Sequence, residues 1–599
     1  MVRHVIIIGA GPSGLVALKT LLGTGNYTCS LIESSHEIGG TFATKTYDDG
    51  ALVSSRLLTA FSDFRFQGKA STKDHPSIPE YLEYLKQYAD HFQLWSHIRF
   101  GTRVDTVQRE SNGGYVVTIS PTTTTAARTT TDLSDSILRA DAVCVCSGLH
   151  NVSRIPHIQS LHHKFTGSFL HSSEYKERAM FKGQRVLVVG AGETGCDIAY
   201  RAAIARADAV LLSARSGFLS VPHEWYKGAP LDSFITNLFE CCYQHRYLER
   251  FKLKWRCTTP FIRLGFLFGS GTSSGWNQWA LTKTTFVARG HHIINKSVKA
   301  MAYINRPLKK KSLLGRWIYS YLDEETDPMA PDIDTTYATP VSCEGGKNIK
   351  MSDGTVREFD TIVFCTGYKQ KFPFLSGGGR GGGGAAAAAA AAANKDEVSS
   401  DDDDNDIDDP LPDLHNIVSR DTPDLSFIGF VRPNVGAIPP MSEIQVMWWI
   451  QHMEGKLLPL KYSPTYHLLG NNARTGSYAV DYGAYMSDLA REMGALPDLI
   501  HWFCTSPKVA MGYALGQSYP TYFRLSGPFQ CTQARKIAET ELWEPVWRRP
   551  FVTNVVFVSV CVVFGYLNML CVVLEILLTP LNCMLNICSK KKTEGKKFK

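Results

Sequence analysis

The chain contains no C-x-x-C pair. Its fifteen cysteines are scattered, and Cys144, Cys146, Cys561 and Cys571 lie in apolar runs. Such spacing excludes a dithiol redox centre and leaves no metal site to expect, zinc included. Charge of one sign is also scarce, with a net +7 on 599 residues. With no nucleic-acid motif beside it, so small an excess gives no reason to expect nucleic acid as a partner. The first strand-like run begins next to Met1, so no signal peptide is expected and the folded part is placed in the reducing cytosol. One long stretch lacks charge almost entirely: Glu575 is the sole charged residue between Arg549 and Lys590. Hydrophobic residues make up 44% of the chain and charged residues 20%. That describes globular protein with an apolar appendage, long enough for two or more domains.

What is present is a glycine fingerprint in duplicate. G-A-G-P-S-G supplies Gly9, Gly11, Pro12, Ser13 and Gly14; G-A-G-E-T-G supplies Gly190, Gly192, Glu193, Thr194 and Gly195. Each follows a strand-like run (5–8 and 186–189) and precedes a helix-compatible one (15–22 and 196–205). In such a loop the first Gly allows a tight turn, the second lets backbone approach a pyrophosphate, and the third lets helix pack on strand. Unpaired N–H groups at the helix start then hold the phosphates. The next strand selects the nucleotide. The run 28–32 ends in Glu33, whose carboxylate suits ribose hydroxyls. The run 209–212 ends in Ser213, with Arg215 just beyond, so no carboxylate repels a 2′-phosphate and a guanidinium is available to bind one. The first site is therefore expected to take FAD and the second NADPH.

Just before the second fingerprint stands F-x-G-x-x-x-H-x-x-x-Y, formed by Phe165, Gly167, His171 and Tyr175. It resembles the identifying sequence of the flavin-containing monooxygenases. Ile38-Gly39-Gly40-Thr41-Phe42 resembles that family's G-G-x-W segment, with Phe42 for Trp, and Cys365-Thr366-Gly367-Tyr368 resembles its A-T-G-Y segment. The run 425–430 with Ser442-Glu443-Ile444-Gln445 resembles its F-I-G and E-x-Q segments, and Phe523-Arg524-Leu525-Ser526-Gly527-Pro528 its R-L-x-G-P element. The likeness covers most of 1–220 and 350–540 and is thin between 225 and 345.

The resemblance implies a mechanism. NADPH delivers hydride to FAD, reduced flavin and molecular oxygen give a C4a-hydroperoxide, and retained NADP+ in a dry pocket protects it. A small-molecule amine or thioether then takes the distal oxygen. The oxidant forms before substrate arrives, so no acid/base triad is needed. Gly40, Thr41, Gly148, Thr366 and Gly367 are placed near the cofactors, and His171 is given positioning and domain coupling. The Asn that precedes S-S-K/R in related enzymes is here Val53, which leaves Ser54 and Ser55 as the candidates near the flavin. Baeyer–Villiger monooxygenases, which attack ketones, carry a similar motif and both fingerprints. The Trp or Pro they add after the motif histidine is replaced by Ser172 and Ser173, which favours heteroatom oxygenation. A flavin disulfide reductase is disfavoured by the missing C-x-x-C. A membrane-tethered NADPH or redox sensor is the remaining alternative.

The expected fold is α/β, with two Rossmann-like dinucleotide-binding domains. A discontinuous FAD domain (1–164 and 346–540) carries an inserted NADPH domain (165–345), and a C-terminal anchor follows (541–599). The segment 79–92 reads as an amphipathic helix with Tyr81, Leu82, Leu85, Tyr88 and Ala89 on one face. The Thr-rich 122–131 reads as a hairpin tip. The insert 376–409, with its Gly run, nine alanines and acidic block, reads as disordered. Within the basic, aromatic 225–345 region, the apolar 261–268 suits either a cover over the active-site mouth or a second membrane-surface contact. About forty apolar residues would span about 60 Å as a helix, twice a bilayer core. Basic flanks at Arg548, Arg549, Lys590, Lys591 and Lys592 favour one common, cytosolic side. A hairpin bent near Thr579-Pro580 is expected, with a single span as its rival, and Trp543 and Trp547 suit the headgroup level. Lys596-Lys597-Phe598-Lys599 looks like a dilysine retrieval signal. It would place the chain in the endoplasmic reticulum membrane with its catalytic part facing the cytosol.

Overall fold

The V-I-I-I run at 5–8 and the V-L-V-V run at 186–189 become inner strands of two separate sheets. The computed structural model describes residues 2–47, 49–122, 136–215, 219–220, 224–225, 229–242, 245, 247–248, 294–295, 298–309, 326–375, 409–459, 466–467 and 478–594. The hairpin tip at 123–131, the apolar 261–268, nearly all of the insert at 376–409 and the final Lys596–Lys599 signal lie outside the described residues.

In chain order the strands of the two sheets are β1 (Arg3–Ile8), β2 (Tyr27–Ile32), β3 (Ile98–Arg99), β4 (Ala142–Val145), β5 (Ser168–His171), β6 (Arg185–Val189), β7 (Ala209–Ser213), β8 (Ile333–Thr336), β9 (Thr361–Phe364), β10 (Val418–Ser419) and β11 (Thr422–Phe427). The helices that matter here are α1 (Pro12–Gly23), α2 (Ile78–His91), α3 (Glu193–Ile204), α4 (Leu238–Cys242), α5 (Ile438–Met453) and α6 (Phe551–Glu594). The first sheet runs β10-β11-β4-β1-β2-β3 and the second β8-β7-β6-β9-β5. Every pairing in them is parallel except β10 with β11. Parallel strands are covered on both faces, and Val5, Ile6, Ile7, Leu187 and Val188 are accordingly inaccessible to solvent.

The chain leaves the first sheet after β4, builds the second, and returns for β10 and β11. β9, placed by sequence with the later part of the FAD unit, is the inner neighbour of β6 in the second sheet. Ile158 and Leu161 also pack against the second sheet's core, with Cys343, Ile349 and Phe359. β9 is short and, after Thr361, apolar, so nothing local says which sheet it joins.

The helix expected at 79–92 is α2. Ser77 and Glu80 form a capping box at its start, a feature worth about 1 kcal/mol. Tyr81, Tyr84, Leu85, Tyr88 and Ala89 are buried, Tyr84 taking the place expected for Leu82. α5 is buried all round, including Ser442, Glu443 and Gln445, and packs against α1 in the main core. α6 is one continuous helix, so the bend expected near Thr579 and Pro580 is absent. Its stretch Phe551–Leu578, of 28 residues with mean hydropathy 2.4, is long and apolar enough to cross a membrane. Glu575 marks no turn; it meets His245 Nε2 at 2.7 Å. The His245 N–H donates to Asn568 Oδ1 at 2.9 Å, and Cys242 and Leu248 pack on Phe564. Cys242, His245 and Leu248 thus lie along α6.

Candidate functional site

The two fingerprints fold into the same shape. Gly9 and Gly190 both have φ of +104°, and a Cβ there would lie 2.7 Å from the Cys146 carbonyl oxygen in one case and 2.5 Å from that of Cys365 in the other. A Cβ on Gly14 would run into the Gly9 carbonyl, and one on Gly195 into that of Gly190. These contacts press α1 and α3 onto their strands. The middle glycines differ in kind. Among the described residues, a Cβ on Gly192 would meet nothing within 4 Å, and one on Gly11 only the Gly40 Cα at 3.8 Å. Both middle glycines have ordinary negative φ, −72° and −75°, so the demand for glycine there comes from the space in front of the loop. That open, donor-rich space fits a dinucleotide pyrophosphate. The buried hydroxyl of Ser147, beside the first loop, has no hydrogen-bond partner among the described residues.

The likeness extends to the next strand on either side. Gly9 N–H donates to Ile32 O at 2.8 Å and Gly190 N–H to Ser213 O at 2.9 Å; Cys146 N–H donates to Ile8 O at 2.9 Å and Cys365 N–H to Val189 O at 2.8 Å. Cys146-Ser147-Gly148 and Cys365-Thr366-Gly367 are therefore structural counterparts, with φ of +82° at Gly148 and +80° at Gly367. The same register corrects one sequence assignment. Ile8 faces Ile32 and Val189 faces Ser213, so the counterpart of Glu33 is Ala214. Ser213 is the last strand residue, and its hydroxyl turns inward to donate to the Ala338 carbonyl at 2.7 Å. The place taken by Glu33 in the first unit still lacks a carboxylate in the second, and Arg215 stands one residue on, exposed in a turn. Glu33 is buried; its Oε2 accepts from Ala10 N–H at 2.6 Å and its Oε1 from Ser35 N–H at 2.7 Å. Each oxygen keeps acceptor capacity beyond these bonds.

Between the two turns lies a cluster centred on Tyr368. The rings of His150 and His171 each sit 5.0 Å from it, and Lys45 Nζ lies 4.9 Å above it. Lys45 also donates to the carbonyls of His150 and Asn151. His150 is exposed by area, yet protein atoms crowd around its ring. Lost hydration, reinforced by the Arg432 and Lys45 charges, pushes it down to about 4. His171 is inaccessible to solvent. Its Nε2 lies 3.0 Å from the Gly367 carbonyl, which only accepts, so Nε2 carries the proton and Nδ1 accepts from Ser173 N–H at 3.2 Å. Burial lowers its pKa, so it stays neutral. Arg154 N–H donates to the same Gly367 carbonyl at 3.0 Å, and the Thr366 hydroxyl donates to the Arg154 carbonyl. His171 thus holds the 365–368 turn through the Gly367 carbonyl.

The remaining expected residues have partners of their own. Gly40 packs against Gly11, and Thr41 starts a single helical turn. Ser54 Oγ donates to the Gly436 carbonyl at 3.1 Å. Ser55 caps the turn Arg56–Thr59, and its N–H donates to Asp232 Oδ2 at 2.6 Å. The partners given to both serines are structural. Pro12 opens α1 and Glu193 opens α3, with Thr194 exposed behind it.

Sequence reasoning missed how the scattered motifs join. The Ser13 hydroxyl meets Ser442 Oγ at 2.8 Å, and Ser442 donates onward to Ile438 O at 3.0 Å, so Ser13 is the donor. Gln445 Oε1 accepts from Gly429 N–H at 2.9 Å. Ser62, Asp63, Glu443 and Arg524 form one buried ionic cluster, with Lys19 at its edge. Ser62 and Asp63 lie in the stretch Phe61-Ser62-Asp63-Phe64, and Glu443 and Arg524 in the E-x-Q and R-L-x-G-P segments; no local pattern in the sequence joins them.

The model of the flavin-binding monooxygenase-like family matches residues 2–258 and 417–585. The chain is 32% identical to monooxygenase ptmN of Penicillium ochrochloron, over 91% of this chain and 90% of that protein. It is 26% identical to an N-oxide-forming dimethylaniline monooxygenase of Cavia porcellus, over 90% of this chain and 92% of that one. In fold it is similar to the S-allyl-L-cysteine S-oxygenase of Allium sativum, with a TM-score of 0.51, 17% identity, and 90% of this chain and 98% of that chain covered.

Proposed function

Since the chain belongs to the flavin-binding monooxygenase-like family, and is thus a flavin-dependent monooxygenase, we propose that it uses NADPH and molecular oxygen to oxygenate the nitrogen or sulfur of a small molecule. FAD is assigned to the first loop and NADP(H) to the second. The observation that carries this reading is the pair of superimposable loops, each with an open face before its middle glycine. Bound flavin supplies the oxygen-activating chemistry, fed by electrons from the nicotinamide.

The protein's own residues bind, orient and exclude water. N–H groups at the starts of α1 and α3 hold the pyrophosphates, Glu33 accepts from ribose hydroxyls, and Arg215 pairs with the 2′-phosphate. Neutral His171 keeps the Gly367 turn in place without exchanging a proton with substrate. Ser54 and Ser55 act as supports beneath the flavin site, given their structural partners. The units are a discontinuous FAD domain and an inserted NADPH domain that runs on through β9. α6 serves as a membrane anchor, with the endoplasmic reticulum and a cytosol-facing catalytic part as the proposed setting.

The test is product analysis with purified protein, NADPH and oxygen on a panel of amines, sulfides and ketones. N- or S-oxide formed in step with NADPH oxidation supports the proposal. Ester formed from ketones would move the assignment to Baeyer–Villiger chemistry. NADPH binding without turnover on any class would leave a sensor.

A further inference from the structure

The segment after Gly40 reaches from one fingerprint to the other. It begins against the first: the Gly39 N–H donates to the Ala10 carbonyl at 2.9 Å, and a Cβ on Gly40 would come within 3.1 Å of the Gly11 Cα. It ends on α3, the helix launched by the second. The Tyr47 hydroxyl donates to Asp197, which also accepts from Arg201 Nε at 3.1 Å. The Arg201 guanidinium lies 4.6 Å from the Tyr47 ring centre, and its Nη2 donates to the Asp49 carbonyl at 3.2 Å. Tyr175, the last residue of the identifying motif, stands edge-on to Tyr47 at 5.3 Å. Lys176 donates to the carbonyls of Thr44 and Thr46 at 3.4 Å. Arg201 is 5% exposed, so this is a packed junction and not a surface ion pair.

Resting on the two-nucleotide reading above, we propose that residues 39–47 are a coupling strap that sets the distance between the two cofactors, with Tyr47, Asp197 and Arg201 as positioning residues for hydride transfer. The reaction is conventional: the nicotinamide loses a hydride, leaving NADP+, and the flavin gains it. That transfer needs close approach of two rings held by different sheets, and misplacement by about 1 Å costs up to about 100-fold. A short segment tied to Gly11 at one end and to α3 at the other is placed to hold that approach. Local stability alone does not require a link at this point, because each loop is already closed by its own strand and helix.

The experiment is anaerobic bleaching of bound flavin by NADPH, using the full chain in detergent. Tyr47→Phe keeps the ring over Arg201 and deletes only the donor; Asp197→Asn keeps the volume and deletes the charge. Each is expected to lower the limiting rate about 10- to 100-fold, while half-saturating NADPH changes by less than about twofold. Flavin content, the melting temperature and bleaching by dithionite should match the unsubstituted chain. The double variant should lose no more than the worse single one, since both remove the same bond. If the unsubstituted chain is bleached by NADPH and Tyr47→Phe is bleached at the same rate, the strap is overturned and the two-site reading stands. If the rate falls only in step with flavin content and melting temperature, Tyr47 is a fold residue and the strap is likewise overturned. If NADPH does not bleach the unsubstituted chain, the two-site reading fails and the strap with it.

Discussion

Glu443 and Arg524 face each other in the core, Oε1 to Nη1 at 3.1 Å, although 81 residues separate them. Glu443 is inaccessible to solvent and also accepts from Ser62 N–H at 2.9 Å. Arg524 meets Asp63 Oδ2 at 3.3 Å. Burial alone would raise the Asp63 pKa; Lys19 and Arg524 outweigh it and hold Asp63 below the usual carboxylate range. Removing one partner of such a cluster strands the others away from water. Arg524→Met is expected to destabilise by about 3–5 kcal/mol, read as a lower midpoint in urea denaturation. An unchanged midpoint would show that the cluster carries no net stability.

Gly11 has negative φ and open space ahead, so Gly11→Val is compatible with the backbone. Its side chain would occupy the space assigned to the FAD pyrophosphate. The variant should fold with an unchanged melting temperature when both proteins are stripped of flavin, and bind no flavin. Normal flavin content would remove the first loop from the assignment.

Arg215→Ala is expected to weaken NADPH by a charge-assisted contact of about 1.5–3 kcal/mol, roughly 10- to 150-fold, with little change for NADH. Nucleotide titration of the flavin spectrum measures both. Equal losses for the two nucleotides would mean that Arg215 supports the turn and does not read the phosphate.

His150 gives a pH dependence. Its ordinary value of 6.5 drops to about 4 in the fold. Between those values the unfolded chain binds a proton that the folded chain refuses, so stability falls as pH is lowered from about 6.5 to about 4. His150→Gln should reduce that slope in urea midpoints taken at a series of pH values. His171 and His452, lowered chiefly by burial, maintain a residual slope. An identical slope in the variant would show that its surroundings do not depress His150.

The C-terminal helix supplies the last expectation. Arg548 pairs with Asp74 at 2.6 Å, and Arg549 is buried with its Nε donating to the Ser233 carbonyl. A chain ending at Pro550 keeps both arginines and should be released from membranes without detergent while still binding flavin. It should also expose Cys242 to thiol reagents, because Phe564 no longer covers it. Retention of the shortened chain on membranes would point to a second contact outside α6.

Local chemistry was legible in the sequence. The glycine spacing dictated the turn of each loop, because a Cβ at Gly9, Gly14, Gly190 or Gly195 collides with backbone only a few residues away or on the adjacent strand. Four of the five buried positions of α2, Tyr81, Leu85, Tyr88 and Ala89, follow from helical period, whereas Tyr84 in place of Leu82 does not. The absence of charge across 550–574 marked an apolar C-terminal stretch, but the bend expected in it gave way to one continuous helix. Register and long-range partners were not legible. Whether Ser213 or Ala214 stands in Glu33's place depends on which residue of β7 faces β6, and a shift of one residue turns every side chain over. β9 joined the second sheet because of its neighbours, not its own apolar composition. Tyr47 and Asp197 are 150 residues apart, and no periodicity links them. Their contact exists because the tertiary fold brings the end of one unit's strap against the other's helix, which is also why the geometry between the two nucleotide loops was decided by the structure alone.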